Sequence, residues 1–237
     1  ATTEIYTLSL LDALPIFSKT FTGNASVQTV ALTADDLTTL GNGAVSVATT
    51  ATDTAGNARL SLAGGFNLDA SAPAAPVIGS VATDNLVNAA EKTAGVTVSG
   101  TAEAGALVTV NWGTSTKTVT ATGGAWSTQF SAAQIPADGS TSISATATDA
   151  AGNTSAAGTR AVTVDATAPA APTLALATDT GASNSDGITS NGLVNVSGLE
   201  TGATWQYSTN SGGTWNTGTG ASFTLAAGSY ASGSVQV

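Results

Sequence analysis

The sequence predicts an all-β protein made of tandem two-sheet sandwiches, and three observations predict it. First, two separate motifs recur at one spacing. Ala51-Thr52-Asp53-Thr54-Ala55-Gly56-Asn57 returns as Ala147-Thr148-Asp149-Ala150-Ala151-Gly152-Asn153. Asp69-Ala70-Ser71-Ala72-Pro73-Ala74-Ala75-Pro76 returns as Asp165-Ala166-Thr167-Ala168-Pro169-Ala170-Ala171-Pro172, in both cases 96 residues later. A shared offset marks an internal repeat. Second, apolar and polar residues alternate over short runs broken by Gly, Asn, Asp and Pro, without sustained helical period. Third, the chain is rich in Val and Thr, which favour pleated, half-buried strands.

The strands of the complete repeat follow in order. Val77–Val81, Val96–Ser99, Leu107–Trp112, Lys117–Ala121, Trp126–Phe130, Thr141–Thr148 and Arg160–Val164 alternate as half-buried strands do. Seven strands in about 92 residues suit two packed antiparallel sheets. Asp138-Gly139 and Ala151-Gly152-Asn153 are turn chemistry. Ala132–Ile135 and its counterpart Ala34–Leu37 carry the one helical hint, a single turn before the sixth strand. The four tryptophans, Trp112, Trp126, Trp205 and Trp215, fall at comparable places in two repeats. They are expected in cores, and an exposed aromatic ligand platform is the sharper alternative.

The repeat register extends further. Ser18-Lys19-Thr20-Phe21-Thr22 aligns with Thr116-Lys117-Thr118-Val119-Thr120, and VTVSGTAE at 96–103 is echoed by VNVSGLE at 194–200. The expected organisation is therefore the C-terminal part of one repeat over 17–72, a complete repeat over 73–168, and a third repeat over 169–237 cut at its C-terminus. Residues 1–16 share none of this texture. Glu4–Ile16 reads EIYTLSLLDALPI. It is too short for a membrane span and lacks the basic start and cleavage site of a signal peptide. It resembles translated sequencing-adapter read-through, and so is expected to be a poorly packed, non-native appendage; a native edge strand or short helix is the alternative.

Composition excludes several function classes. Lys+Arg is 5 against Asp+Glu 15, a net charge of −10. Nothing here neutralises a run of phosphates or docks on an anionic membrane, so nucleic acid and membrane insertion are excluded as partners. The charge favours divalent cations instead. Cys and His are both 0, which removes disulfides, zinc and thiolate sites, and every nucleophile–base pair that needs them. The chain reads as not an enzyme. Asp35-Asp36 belongs to no motif that suggests an acid–base cleft.

The linker and turns carry a resemblance. The VTVD-x-[ST]-AP-A-AP spacing, the ATD-x-AGN turn and the VSGTAEAG stretch resemble the bacterial immunoglobulin-like repeats of giant biofilm-associated, type I-secreted surface adhesins, over about residues 18–237. WQYSTNSGGTW at 205–215 departs as another subtype. The resemblance implies immunoglobulin-like, Greek-key sandwiches arranged as a rod, on a secreted protein at the bacterial cell surface that supports cell adhesion and biofilm formation. Pro169 and Pro172 make the linker short and semi-rigid. The expected function is a stalk or spacer whose partners are the neighbouring repeats. The alternative is a module binding glycans or proteins of host or bacterial surfaces. A remote alternative is a sialidase-like glycosidase fragment. It rests on Ser208–Trp215, which approximates an Asp-box turn with Asn210 in the Asp position, although the 96-residue period does not suit a propeller.

The resemblance also implies a cofactor to test, calcium bound between modules. Strand-end topology should bring the Asp149–Asn153 turn and the turn at Glu103 to the linker that carries Asp69. Asp84, Asp138, Asp165 and Glu200 should gather at the next junction. Convergent carboxylates are how a site of 6–8 oxygens is assembled. The competing reading is that these residues make turns and keep the chain soluble.

Overall fold

The computed structural model describes residues 3–10, 17–22, 27 and 29–237. The chain divides into two compact units, Ala1–Ala166 and Thr167–Val237. Among the described residues, no helix is long and apolar enough to cross a membrane.

In the first unit, the alternating runs become strands wherever a neighbour supplies the other half of the ladder. The strands before the first linker are β1 (Thr3–Leu10), β2 (Phe17–Thr22), β3 (Gly43–Thr52) and β4 (Ala58–Leu68), with helix α1 (Ala34–Leu40) between β2 and β3. They form one sheet in the order β2-β1-β3-β4. Thr33 and Asp36 start α1 with a reciprocal capping box, satisfying two of the orphan donors of the helix end. Leu40 and Val45 are the buried centre of this sheet, packed by Leu32, Val47 and Leu68.

The complete repeat follows as β5 (Val77–Ile78), β6 (Leu86–Asn88), α2 (Ala89–Ala94), β7 (Val96–Thr101), β8 (Leu107–Trp112), β9 (Ser115–Thr120), β10 (Ala125–Phe130), a 3-10 turn at Ala132–Gln134, β11 (Gly139–Thr148) and β12 (Gly158–Asp165). One sheet runs β10-β7-β5 and the other β6-β12-β11-β8-β9, the two faces of an immunoglobulin-like sandwich. Every second residue points between the sheets. Val98, Val108, Val110, Trp112, Phe130 and Ile143 are fully buried there. Trp112 and Phe130 meet edge to face at 5.5 Å, the arrangement that ring quadrupoles favour.

The sequence expected one first strand over 77–81. The structure divides it. After Ile78 the chain turns through Ala82, Thr83 and Asn85, all at positive φ. It then joins the other sheet as β6, parallel to β12. The crossing is fastened by Asn85, whose Oδ1 accepts from Val81 N at 3.1 Å. Helix α2 was also not expected; Asn88 and Glu91 cap it reciprocally.

Residues 1–16 were expected to be an appendage. Residues 1, 2 and 11–16 lie outside the described residues, but β1 is an internal strand. Thr3 pairs with Thr22 and Thr52, and Leu8 with Phe17 and Val47. In the complete repeat, Leu107 pairs with Thr120 and Thr148, and Trp112 with Ser115 and Ile143. Under the repeat offsets these are the same registers, so β1 occupies the place that β8 holds in the next repeat.

In the second unit, β13 (Thr173–Leu176), β14 (Leu193–Ser197) and β17 (Ser222–Thr224) form one sheet, while β15 (Gln206–Tyr207) and β16 (Asn216–Thr217) form a hairpin. Val194, Val196, Trp205 and Phe223 are its core. Tyr207 stacks on Phe223 at 4.1 Å. The Ser208–Trp215 stretch folds as the predicted turn: Asn210 Oδ1 accepts from Ser208 Oγ at 2.9 Å and from Thr214 N at 2.8 Å. It is a hairpin device within an immunoglobulin-like fold, not a propeller blade.

Candidate functional site

The candidate site is the linker between the first two repeats, and it is built from turns. In the Asp149–Asn153 turn, the Asp149 carboxylate accepts from Asn153 N at 2.9 Å and from Asn153 Nδ2 at 2.9 Å. Gly152 takes φ 95° to close the turn, a conformation that suits a residue without Cβ. The Asn153 side chain, helped by turn amides, holds the Asp149 carboxyl below the usual carboxylate range. The Asp53–Asn57 turn repeats the design. Asp53 accepts from Asn57 N at 2.8 Å and from Asn57 Nδ2 at 2.8 Å, and its carboxyl is lowered for the same reason.

Asn153 has a second amide hydrogen. It donates to the main-chain carbonyl of Asp69 at 3.0 Å. The expected approach of this turn to the preceding linker is therefore present, although the contact uses the carbonyl of Asp69, not its carboxylate. The linker is held from the other side by Asn42, in the turn that leads into β3. Asn42 Nδ2 donates to Asp69 Oδ1 at 3.0 Å and to Ser71 Oγ at 2.7 Å. Asn42 Oδ1 accepts from Ala70 N at 2.9 Å. One asparagine from each repeat thus grips the same linker residue. Pro73 and Pro76, just beyond, are both buried.

Asn42 and Ser71 were not among the residues singled out from sequence. The repeat offset contains the signal: 96 residues after Asn42 stands Asp138, which was singled out. The structure supports the equivalence. Gly43 pairs with Leu68, and Gly139 with Val164; the two glycines take φ of 133° and 134°. Asn42 therefore stands across the sheet from Asp69, and Asp138 from Asp165. An amide–carboxylate pair at the first junction is replaced by two carboxylates at the second.

The other candidates lie as follows. Glu103 is exposed in the turn before β8, its carbonyl accepting from Ala106 N at 3.1 Å. Asp84 Oδ1 accepts from Leu86 N at 2.9 Å. Asp138 pairs with Lys92 at 3.6 Å. Asp165 ends β12, opposite Asn88 of β6. Glu200, in the second unit, is exposed, its carbonyl accepting from Ala203 N at 3.1 Å. Among the described residues, no group of three or more acidic, imidazole or thiol side chains could hold a metal ion. At the first junction the carboxylates already take N–H donors from their own loops, so their chemistry fits direct hydrogen bonding.

Three comparisons bear on the chain. Residues 77–166 match the family model described as bacterial Ig-like domain. No curated protein matches. Among solved structures, a bacterial immunoglobulin-like domain from the M. primoryensis ice-binding adhesin is 31% identical, covering 40% of this chain and 100% of its own, with a TM-score of 0.34. Part of a 1.5-MDa bacterial ice-binding adhesin is 24% identical, over 91% of this chain and 71% of its own, at 0.40. A tetra-tandem repeat from the extending region of a large adhesion protein is 24% identical, over 95% of this chain and 56% of its own, at 0.35.

Proposed function

Because the chain belongs, through residues 77–166, to the bacterial Ig-like domain family, we propose that it is a spacer segment of a large surface adhesin. In this reading it works by holding successive sandwiches in line. The observation that carries the proposal is the double grip on Asp69, from Asn42 in one repeat and Asn153 in the next. A flexible tether needs no such contacts. A linker whose carboxylate, carbonyl and prolines are all engaged keeps its direction, and a chain of such linkers projects whatever lies at its end. Its place is on the bacterial surface, in the service of adhesion and biofilm formation, with neighbouring repeats as its partners.

A second element of the proposal concerns calcium at the next junction. Like charges directly opposite each other across two strands destabilise the pair. Asp138 and Asp165 stand one step beyond the Gly139–Val164 pair, where such repulsion would arise; Lys92, 3.6 Å from Asp138, already offsets part of it, and a divalent cation would offset more, as Asn42 does at the first junction by donating hydrogen bonds. Calcium should then raise the melting temperature, with Asp138→Asn abolishing that response. Solution scattering should show an extended particle, lengthened further by calcium. A compact particle would sink the spacer reading. A melting temperature indifferent to calcium and to EDTA would sink the cation alone.

A further inference from the structure

Two repeats carry a lysine at the same place in the last strand of a sheet. Lys19 of β2 pairs across to Tyr6, and Lys117 of β9 to Val110, one register under the repeat offsets. Both lysines are half-buried. Lys117 shares its face with Val119, which packs on the core, so its stem turns inward. In the first repeat the ammonium meets a carboxylate. Lys19 Nζ lies 2.7 Å from Asp36 Oδ2 and donates to the Ala31 carbonyl at 2.9 Å. In the complete repeat the counterpart of Asp36 is Gln134. It keeps the capping role, its Oε1 accepting from Ser131 N and from Ser131 Oγ, both at 3.1 Å. An amide has no charge to offer, and Lys117 makes no ion pair or hydrogen bond among the described residues.

A pocket stands beside that ammonium. It measures about 320 Å³ and is walled by Lys117 and Gln134 together with Thr93, Gly95, Gln129 and Ser131. All of these belong to the complete repeat, from the end of α2, β9, β10 and the 3-10 turn. The walls are fastened to one another. Ser115 Oγ donates to the Gln134 carbonyl at 2.9 Å, which ties β9 to the 3-10 turn. Gly95 closes α2 at φ 83°. A Cβ there would lie 3.2 Å from Gln129 Nε2, so the glycine lets the helix end approach that amide. With Gln134 Oε1 held by Ser131, the two Nε2 hydrogens remain to donate. The Gln129 amide also makes no hydrogen bond among the described residues.

We propose that this pocket binds the carboxylate of a sugar acid, with Lys117 as its counter-ion and the Gln129 and Gln134 amides donating beside it. The ligand carboxylate does for Lys117 what Asp36 does for Lys19. Hydrogen bonds to an ionised acceptor are the strong ones, and here three donor groups converge on one. Two features select within the anions. A single cation on a chain of net charge −10 suits a monoanion, and repels a dianion such as sulfate. The lining offers hydroxyls and amides and no bulky apolar side chain, which matches a ligand rich in hydroxyls better than an aliphatic acid. A pocket of this size is at the small end for ligands and takes one sugar ring. This role goes beyond the spacer reading and does not depend on it.

The test is a titration of the whole 237-residue chain, followed by the side-chain amide signals of Gln129 and Gln134 in NMR spectra of isotope-labelled protein. The probes are sodium glucuronate, glucose as its neutral counterpart, sulfate, and acetylated glutamate amide as the carboxylate of a protein partner. Glucuronate should shift both signals saturably at millimolar concentration, and glucose should not. Lys117→Gln should weaken glucuronate binding at least tenfold, and Lys117→Arg should retain it. Gln134→Glu keeps the cap and supplies a built-in carboxylate. It should abolish glucuronate binding and raise the melting temperature. No saturable shift with glucuronate overturns the proposal, as does an equal response to glucose. Tighter binding of sulfate or of the glutamate amide overturns it too, and so does binding that survives Lys117→Gln or Gln134→Glu. Particle length from scattering should be unchanged by Lys117→Gln, which separates this result from the fate of the spacer reading.

Discussion

Replacing Asn42 with alanine removes one half of the grip on the linker. The substitution deletes the hydrogen bonds to Asp69 Oδ1 at 3.0 Å, to Ser71 Oγ at 2.7 Å and from Ala70 N at 2.9 Å. A net intramolecular hydrogen bond contributes about 0.5–1.5 kcal/mol, and these are exposed, so the low end applies and the three together contribute about 1–2 kcal/mol. In a unit the size of Ala1–Ala166, each kcal/mol moves the melting temperature by about 2–4 °C. Asn42→Ala should therefore melt about 3–6 °C lower by circular dichroism. The double variant with Asn153→Ala should lose less than the sum of the single losses, because both side chains act on Asp69; the coupling should exceed about 0.5 kcal/mol. A shift below about 1 °C for Asn42→Ala, or strict additivity in the double variant, would refute the idea that two repeats hold one linker jointly.

Two further predictions concern the unit around that linker. Asp53 and Asp149 are held below their ordinary carboxyl range by Asn57 and Asn153, and Asp36 by Lys19. A lowered folded-state value adds stability above the unfolded value, and that stability is lost as pH falls through the folded one. Melting temperature should hold from neutrality to about pH 4 and fall below it; in Asn57→Ala and Asn153→Ala the acid-side fall should be shallower, and an unchanged slope would contradict the assignment. Trp112→Ala should cost about 3–5 kcal/mol in urea unfolding, as large buried aromatics do, and a loss under about 1 kcal/mol would show that the core is organised elsewhere. Trp112→Phe should be far milder, since the buried Trp112 Nε1–H has no partner among the described residues and its removal offsets part of the lost volume.

Strands of the complete repeat were legible in the sequence because their periodicity and turn residues agree. The stretch Leu107–Trp112 was expected with the bounds it has. Where the chain crosses between sheets, the signal is absent. Ala82, Thr83 and Asn85 take positive φ without a glycine to advertise it. Helix α2, six residues long, is too short to show a period, and only Asn88 and Glu91, spaced as a capping box, mark it. The register of β1 was illegible for another reason: residues 3–10 share no repeat texture, and pairing to β2 and β3 places them.

The site was legible by topology and not by chemistry. Strand order predicts that the Asp149–Asn153 turn and the turn at Glu103 face the linker at Asp69; Asn153 reaches the Asp69 carbonyl, and Glu103 is exposed in its own turn. Residue type suggested carboxylates around a cation, whereas the first junction uses an amide hydrogen and a carbonyl oxygen. Asn42 carries no motif, since a lone asparagine between two glycines reads as a turn. Its role shows only once the register places it opposite Asp69. Trp215 illustrates the same limit. Sequence groups it with three core tryptophans, and only its exposure on the hairpin separates it from them.

The central claim is that the linker Asp69–Pro76 keeps a fixed direction between the sheet before it and the sandwich after it. Because the chain contains 0 cysteines, spin labels can be attached cleanly at Thr39→Cys and Ser127→Cys, exposed positions on either side of the linker. Pulsed dipolar spectroscopy then reads the distribution of distances between the two repeats. The account predicts one narrow peak that broadens when Asn42 and Asn153 are both replaced by alanine. A broad distribution in the unaltered chain, or a narrow one that survives both replacements, would contradict it.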